Sequence, residues 1–258
     1  MAANALLLDL DGTLYEGDAP LPGALAAISS LVERKVPRRY LTNTTRISRQ
    51  TLVDRLRAMG FELTLDELFT TAIAASRWLG ERGIQRIALY VPDATREDFS
   101  HFDLVDERPE AIVVGDLGEG WSFARLNSAF QHLLGGATLV ALQKNRSWKT
   151  PQGTILDAGP YVAALEYAAH CEATVVGKPN PAFFHLAAAS LGLPPEEMVV
   201  VGDDVETDIA GAHAAGMRGA LVRTGKFREE TLLASGIHPD WMAENLGEFI
   251  HRWLGPGV

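Results

Sequence analysis

The sequence predicts an α/β protein with a doubly wound parallel sheet and a second α/β domain inserted into it. Short apolar runs alternate with segments of helical period along the chain, which is the pattern of a parallel sheet covered by helices. Met198–Val201 is entirely apolar, as expected of a central strand buried on both faces. Several apolar runs also end in polar side chains, which predicts a ligand site at the carboxyl ends of the strands.

In the first and last thirds of the chain, predicted strands and predicted helices follow one another in the same pattern. Glycines stop several of the helical segments, as Gly60, Gly192 and Gly216 do. The predicted strands are Ala5–Leu8, Arg39–Leu41, Ala173–Val176, Met198–Val201 and Ala220–Val222. The predicted helices are Ala24–Glu33, Ser48–Met59, Asp66–Trp78, Pro181–Leu191 and Val205–Ala215.

The middle of the chain begins a new α/β pattern. Its strand-like runs are Ile87–Val91, Ala111–Val114 and Thr138–Leu142, and its helical segments are Phe123–Leu134 and Pro160–His170. We therefore predict an inserted domain over residues 78–171. Residues 1–77 and 172–258 would then form one discontinuous core domain.

Composition narrows the choice of partners and compartment. The chain has 258 residues, of which 47% are hydrophobic, and a net charge of −10. This negative charge disfavours nucleic acid and anionic membranes as partners. Cys171 is the single cysteine, so no intramolecular disulfide forms, which is typical of a reducing compartment. The amino terminus has no signal-peptide pattern and no apolar stretch is long enough to span a bilayer, so we expect a cytoplasmic protein.

Four predicted strands end in residues suited to phosphoryl chemistry. Alternate residues of an extended chain point to the same side, so the first pair of aspartates would stand side by side and would repel each other without a cation. Mg²⁺ prefers hard oxygen ligands, and lysine, threonine and asparagine side chains can bind phosphate oxygens. The strand-end residues are Asp9 and Asp11, Thr42 and Asn43, Lys178, and Asp203 and Asp204 with Asp208 on the next helix.

Each of these residues also has a purely structural interpretation. Asp9 and Asp11 fit a surface turn, and Thr42 fits a helix N-cap. Lys178 fits a solvated loop, and Asp203 and Asp204 fit the start of the next helix, where they would complement its dipole. The occurrence of all four groups in this order, each at a strand end, favours the functional interpretation.

The same residues resemble the four motifs of the haloacid dehalogenase (HAD) superfamily. The motifs are Asp9–Thr13, Thr42–Arg46, Val175–Pro179 and Gly202–Asp208, and their form is similar to the NagD-like branch, which carries a large α/β cap. Lys144–Lys149 and Ala163–Tyr167 resemble the group that holds phospholysine phosphohistidine inorganic pyrophosphate phosphatase. The resemblance implies a Rossmann-like core and a Mg²⁺-dependent phosphatase acting on a small phosphorylated molecule.

The resemblance also implies a role for each site residue. Asp9 would be the nucleophile that forms an aspartyl-phosphate, and Asp11 the general acid and base. Asp9, the main-chain carbonyl of Asp11, and Asp203 would hold Mg²⁺. Thr42, Asn43 and Lys178 would bind the phosphoryl group. Asp208 would orient Lys178 or the water molecules bound to the metal. Asp204 would be a metal ligand, a residue that supports a ligand, or a helix cap.

Residues outside these motifs leave several questions open. Asn145 and Arg146 follow an apolar run in the insert and are candidates for substrate contact, although a solvated basic loop explains them equally well. Family resemblance suggests a homodimer through the cap.

The alternative functions are a phosphotransferase or mutase on the same intermediate, and a binding protein that kept the fold without the chemistry. Gly219–Lys226 does not match a nucleotide phosphate loop, because five residues lie between its glycines where that loop has four, and Phe227 stands where the loop has serine or threonine.

Overall fold

The computed structural model describes residues 4–150 and 153–255. Its strands are β1 (Ala5–Asp9), β2 (Tyr15–Glu16), β3 (Ala19–Pro20), β4 (Arg38–Thr42), β5 (Leu68–Thr70), β6 (Arg86–Tyr90), β7 (Asp103–Leu104), β8 (Ala111–Val114), β9 (Thr138–Ala141), β10 (Ser147–Thr150), β11 (Gly153–Leu156), β12 (Thr174–Val175), β13 (Met198–Gly202), β14 (Arg218–Val222) and β15 (Trp241–Ala243). Its α-helices are α1 (Ala24–Glu33), α2 (Arg49–Ala58), α3 (Thr71–Gly80), α4 (Asp93–Arg96), α5 (Phe123–Leu134), α6 (Ala158–Ala169), α7 (Pro181–Ala189), α8 (Gly211–Ala214), α9 (Glu229–Ser235) and α10 (Leu246–Leu254).

The chain divides into two compact units. The first comprises Met1–Thr42, Gln50–Phe69 and Lys178–Val258, and the second comprises Asn43–Arg49 and Thr70–Gly177. The second unit therefore takes in short segments on both sides of the predicted 78–171 insert. The boundaries of a functional cap domain stay a prediction.

The first unit contains a six-stranded sheet in the order β15-β14-β13-β1-β4-β5, and its neighbours from β15 to β4 run parallel. Numbered along the chain, this is the order 3-2-1-4-5-6 of a doubly wound Rossmann-type sheet, read from the opposite edge. The predicted α/β fold class is confirmed. The side chains of β1 and β13 are buried, because both strands lie inside a sheet that helices cover.

The second unit contains a five-stranded parallel sheet in the order β12-β9-β8-β6-β7. Helices α5 and α6 bury one face of it against an apolar cluster that includes Tyr90, Ile112 and Val162. Strands β10 and β11 form a separate antiparallel hairpin. Among the described residues, no helix combines the length and the apolar character that crossing a bilayer requires.

The predicted strand Ala173–Val176 was assigned to the wrong sheet. It forms β12, which pairs in parallel with β9 and extends the sheet of the second unit. Ala173 and Val175 pack against the apolar cluster of that unit, which explains the pairing. Three of the four polar strand ends thus belong to the six-stranded sheet, and Lys178 reaches it from a loop.

The predicted helix Asp66–Trp78 is also wrong in its first part. Residues 65–67 form a short 3₁₀ turn, β5 follows, and the helix begins only at Thr71. Two caps explain the division, because the Thr64 main-chain N–H donates to Glu67 and the Ile73 N–H donates to the Thr70 hydroxyl group. Apolar Leu68 and Phe69 fit a short strand as well as a helix, so periodicity alone could not separate them.

Candidate active site

Strands β1, β4 and β13 end together at the centre of the sheet of the first unit. Leu8 pairs with Val201 and Asp9 pairs with Leu41, so β1, β13 and β4 end in register. Asp9, Thr42 and Asp203 follow at these ends, and all three are buried. This position is the switch point of the sheet, between β1 and β13, where doubly wound folds bind ligands.

Lys178 lies among these carboxylates with a side chain that is only 5% exposed. Its ammonium group donates to the Asp9 carboxylate and to Asp208 Oδ1, which is 2.7 Å away. Burial alone would lower the pKa of Lys178, but the charges of Asp208 and Asp9 outweigh burial and raise it. The two ion pairs therefore favour the charged form of Lys178 at this point of the sheet.

Asp208 is the buried partner that fixes Lys178. It lies in a π-helical segment, Val205–Ala210, which continues into α8 where a regular helix was predicted. Burial raises the pKa of Asp208 to about 6, the charge of Asp9 adds to this effect, and that of Lys178 opposes it. A Cβ atom at Gly202 would overlap the Asp208 carboxyl group, so glycine at the end of β13 makes room for it.

Asp204, whose role was left open, caps the segment that carries Asp208. Its Oδ1 accepts the main-chain N–H groups of Glu206 and Thr207 at 3.0 Å each. Its own N–H donates to Asp208 Oδ2 at 3.2 Å. Among the three roles of metal ligand, supporting residue and helix cap, the geometry favours the cap, because Asp204 Oδ1 already accepts two main-chain N–H groups.

Asp203 has one oxygen satisfied and one without a partner. Oδ2 accepts the main-chain N–H of Lys226 at 2.6 Å. Oδ1 is buried and makes no hydrogen bond with any residue that the structure describes. Burial, together with the charges of Asp9 and Asp208, raises the pKa of Asp203 to about 8. A buried carboxylate oxygen without a donor is a ready position for a cation.

Asp11 lies outside this buried cluster, in the turn after β1, and its side chain is exposed. Gly12 adopts a left-handed φ of 85°, and its N–H donates to Tyr15 O at 2.7 Å, which closes the turn. The pKa of Asp11 is raised by desolvation of its carboxyl group and by the neighbouring charge of Asp9. A carboxyl group that holds its proton more readily is suited to acid catalysis.

The loop after β14 also belongs to the site, which the sequence analysis missed. The Thr224 hydroxyl group donates to Gly12 O at 2.5 Å, and the Lys226 N–H holds Asp203. A Cβ atom at Gly225 would overlap the Asp203 carboxylate and lie 2.6 Å from Gly12 Cα. The available signal was a glycine three residues after the end of β14, and the sequence analysis compared that glycine only with a nucleotide phosphate loop.

The other predicted substrate-binding residues lie in the second unit. Asn43 is half-buried, and its Oδ1 lies close to Gly177, where a Cβ atom would come within 2.9 Å of it. The Asn145 N–H donates to Gln143 Oε1 at 2.5 Å, and Arg146 is exposed. Their contact with substrate stays a prediction.

The loop that follows Thr42 is anchored within the second unit. The Asp116 N–H donates to the Thr45 hydroxyl group at 3.1 Å, and the Thr95 hydroxyl group donates to Thr45 O at 2.6 Å. Arg46 forms an ion pair with Asp116 at 2.5 Å. These bonds fix the main chain next to Asn43 at the carboxyl end of β8.

The buried carboxylates fit a divalent metal ion. Each of Asp9, Asp203 and Asp208 offers an oxygen atom, and the three atoms lie within 4.8 Å of one another. When all three are ionised, the single ammonium group of Lys178 leaves the cluster negatively charged. The oxygen-only donor set and the unpartnered Asp203 Oδ1 suit a hard cation such as Mg²⁺.

Comparisons with known sequences agree with the four motifs. A family model described as haloacid dehalogenase-like hydrolase matches residues 6–104, and one described as HAD-hydrolase-like matches residues 175–249. The chain is 45% identical over 227 residues to haloacid dehalogenase-like hydrolase domain-containing protein 2 of Homo sapiens, covering 88% of this chain and 86% of that protein. It is 39% identical over 257 residues to phospholysine phosphohistidine inorganic pyrophosphate phosphatase of Bos taurus, covering 97% and 94%.

Solved structures of two phosphatases also match this chain over almost its full length. The p-nitrophenyl phosphatase from Archaeoglobus fulgidus matches with a TM-score of 0.90 and 25% identity, over 97% of this chain and 99% of that one. Glycerol phosphate phosphatase from Mycobacterium tuberculosis, solved in complex with magnesium, matches with a TM-score of 0.86 and 28% identity, over 97% and 77%.

NagD from Escherichia coli K-12 shares the fold, with a TM-score of 0.89 and 22% identity over 96% and 98% of the two chains. The resemblance drawn from the four motifs is thereby confirmed at the level of the family and of its NagD-like fold. The chain belongs to the haloacid dehalogenase-like hydrolases.

Proposed function

We propose that this protein is a Mg²⁺-dependent phosphatase that hydrolyses a small phosphorylated metabolite through an aspartyl-phosphate on Asp9. The observation that carries the proposal is the buried trio of Asp9, Lys178 and Asp208, with the unpartnered Asp203 oxygen beside it. A fixed ammonium group and an unsatisfied carboxylate at one strand edge suit the binding of a phosphoryl group together with a cation.

The reaction has two displacements at phosphorus. In the first, an Asp9 oxygen bonds to phosphorus while the bond to the leaving oxygen breaks, and Asp11 gives its proton to that oxygen. In the second, Asp11 takes a proton from water, the water oxygen bonds to phosphorus, and the bond to Asp9 breaks. Phosphate leaves and both carboxyl groups return to their starting forms.

The two aspartates suit these different tasks because their surroundings differ. Asp9 is buried and bonded to Lys178, which holds its carboxylate in one direction for attack on phosphorus. The Thr13 hydroxyl group, 3.4 Å from Asp9 Oδ2, adds a second restraint. Asp11 is exposed and has a raised pKa, which fits a group that gives up and regains a proton.

Lys178, Thr42 and Asn43 would bind the oxygens of the transferring phosphoryl group. An aspartate that approaches a phosphate dianion meets strong repulsion, and the Lys178 cation offsets it. Asp208 keeps Lys178 in place, because a buried ammonium group is stable only when it is paired. We infer that Asp208 is a positioning residue and that Asp204 supports it as a cap.

Asp9, Asp203 and the main-chain carbonyl of Asp11 would hold Mg²⁺. When bound, the ion neutralises negative charge between the carboxylates and the phosphoryl group. The negative charge of the cluster and its oxygen donors support this assignment. The magnesium complex of the glycerol phosphate phosphatase from Mycobacterium tuberculosis supports it independently.

A small phosphorylated molecule is the substrate class that the relatives' names support, since they describe nitrophenyl, glycerol and pyrophosphate phosphatases. We propose that residues 78–171 act as a cap that selects the substrate, with Asn145 and Arg146 among its contacts. Residues 1–77 and 172–258 would supply the chemistry. The single cysteine, Cys171, allows no intramolecular disulfide, which supports a cytoplasmic location.

We further propose a homodimer that forms through the cap, residues 78–171, which lies within the second unit. Most of the large apolar side chains that are exposed among the described residues belong to that unit, and Phe123 and Tyr167 are 85% and 86% exposed. Light scattering of the wild type should give twice the chain mass, and Phe123→Glu with Tyr167→Glu should give a monomer. A monomeric wild type would contradict the dimer.

Asp9→Asn should fold normally and lose activity. The amide keeps the shape of the side chain but is a poor nucleophile, so we expect kcat to fall by at least about 10⁴-fold. Phosphate release from a panel of phosphorylated metabolites, measured with Mg²⁺ and with a chelator, checks this. Wild-type release should also stop with the chelator and return with Mg²⁺.

Asp18→Asn is the matched control, because it is the same substitution on a side chain that is 90% exposed and paired with Arg55 at the surface. It should keep wild-type activity. Full activity in folded Asp9→Asn, with Asp18→Asn equally active, would rule out the covalent mechanism.

Gly225→Ala should weaken Mg²⁺ binding. The added methyl group would overlap the Asp203 carboxylate and displace it, and loss of support around a metal ligand lowers affinity by about 10–100-fold. Calorimetric titration with Mg²⁺ measures the change directly.

Gly236→Ala separates this effect from backbone strain. Gly236 has a similar left-handed φ of 67°, but a Cβ atom there would meet no atom within 4 Å. It should lose stability without losing Mg²⁺ affinity. Equal Mg²⁺ affinities for Gly225→Ala and the wild type would show that Asp203 does not hold the ion.

A further inference from the structure

Lys226 is a second cation beside the acidic cluster, and the proposed chemistry does not use its side chain. Its ammonium group lies 3.7 Å from Asp204 Oδ2, and the side chain is 68% exposed. Its main-chain N–H donates to Asp203 Oδ2 at 2.6 Å. One residue thus supports the buried carboxylate from its backbone and presents a charge to solvent from its side chain.

The position of Lys226 is fixed by the loop that carries it. Thr224 donates to Gly12 O, and Gly225 packs so closely on Gly12 and Asp203 that no side chain fits there. The turn that carries Asp11 and the loop that carries Lys226 are therefore held against each other. The base of the Lys226 side chain has a defined place relative to Asp11.

The field of Lys226 reaches the reacting groups. Desolvation would lower the pKa of Lys226, but the charges of Asp204, Asp9 and Asp203 outweigh desolvation and raise it. The charge of Lys226 in turn acts to lower the pKa of Asp11, against the desolvation that raises it. These opposing effects agree with the packing of the Lys226 loop on the Asp11 turn.

The pairing of Lys226 with Asp204 leaves the ammonium group available. A separation of 3.7 Å is long for a hydrogen bond, and an ion pair made by a largely exposed lysine contributes little. Asp204 already accepts two main-chain N–H groups on its other oxygen. Lys178 differs, because it is buried and bonded to two carboxylates.

We propose that Lys226 binds an anionic group on the leaving part of the substrate, so that the enzyme prefers phosphorylated molecules whose leaving group is itself anionic. The inference rests on the proposed function, in which Asp11 protonates the leaving oxygen. The loop that carries Lys226 packs on the turn that carries Asp11, which would protonate the leaving oxygen, whereas Lys178 is bonded to Asp9 and serves the phosphoryl group that is transferred. The second anionic group is a carboxylate or a further phosphate.

The test compares substrates that differ only in this group. Phosphoglycolate and ethyl phosphate have the same skeleton, with a carboxylate in the first where the second has a methyl group, and inorganic pyrophosphate supplies the phosphate case. Lys226→Met keeps the apolar stem and the main-chain N–H that holds Asp203. We expect kcat/KM for one or both anionic substrates to fall by about tenfold or more relative to kcat/KM for ethyl phosphate, since any effect of the Lys226 charge on Asp11 is common to all three substrates.

Two further variants and a binding measurement sharpen the result. Lys226→Arg should retain the preference, and Arg223→Gln should leave it unchanged, because Arg223 is a cation of the same loop that pairs with Glu244. In an Asp9→Asn background, Lys226→Met should weaken binding of phosphoglycolate, measured by calorimetry, by a similar factor and leave ethyl phosphate unaffected.

The outcomes separate this inference from the function on which it rests. If the wild type hydrolyses ethyl phosphate and loses that activity in Asp9→Asn, the proposed function stands. Equal effects of Lys226→Met on all three substrates, or no effect on any, would then overturn the role of Lys226 alone. A wild type that hydrolyses none of the three but releases phosphate from another member of the metabolite panel would overturn the role of Lys226 alone, and no release from any compound of the panel would overturn both. Loss for phosphoglycolate alone, or for pyrophosphate alone, would identify the anionic group as carboxylate or phosphate.

Discussion

The buried pairing of Lys178 with Asp9 and Asp208 is the interaction on which the rest of the site depends. An ammonium group this deeply buried is stable only with carboxylate partners, and the carboxylates are stable there only with a cation. The pairing joins the end of β1, the loop before α7 and the π-helical segment after β13. It aims the Asp9 carboxylate, and it leaves Asp203 with unbalanced charge that suits a metal ion.

Three glycines pack closely against the carboxylates of Asp203 and Asp208. Gly12, Gly202 and Gly225 each occupy a place where a Cβ atom would overlap Asp203 or Asp208. The carboxylates are therefore held by backbone contacts as well as by hydrogen bonds, which limits their movement when charge changes nearby. The same packing holds the loop that carries Lys226 against the turn that carries Asp11.

Much of this could be predicted from the sequence, and the parts that could not have physical reasons. The strands ending at Asp9, Thr42 and Asp203 were predictable, because buried parallel strands are apolar runs and their ends carry the polar residues. Sheet membership of Thr174–Val175 was not, because pairing depends on distant contacts with β9. The turn and strand at residues 65–70 were missed because caps overrode helical periodicity.

The site shows the same division. Asp203 and Asp208 were identified by their spacing after a strand, but the cap formed by Asp204 and the bond from Lys226 to Asp203 required three-dimensional positions. The central claim is that the phosphoryl group passes through Asp9. Wild-type protein should be quenched with acid during turnover of a hydrolysed substrate, digested, and analysed by mass spectrometry. The account predicts one phosphoryl group on the peptide that contains Asp9. Phosphate release with no phosphorylated peptide, or with the phosphoryl group on another residue, would contradict it.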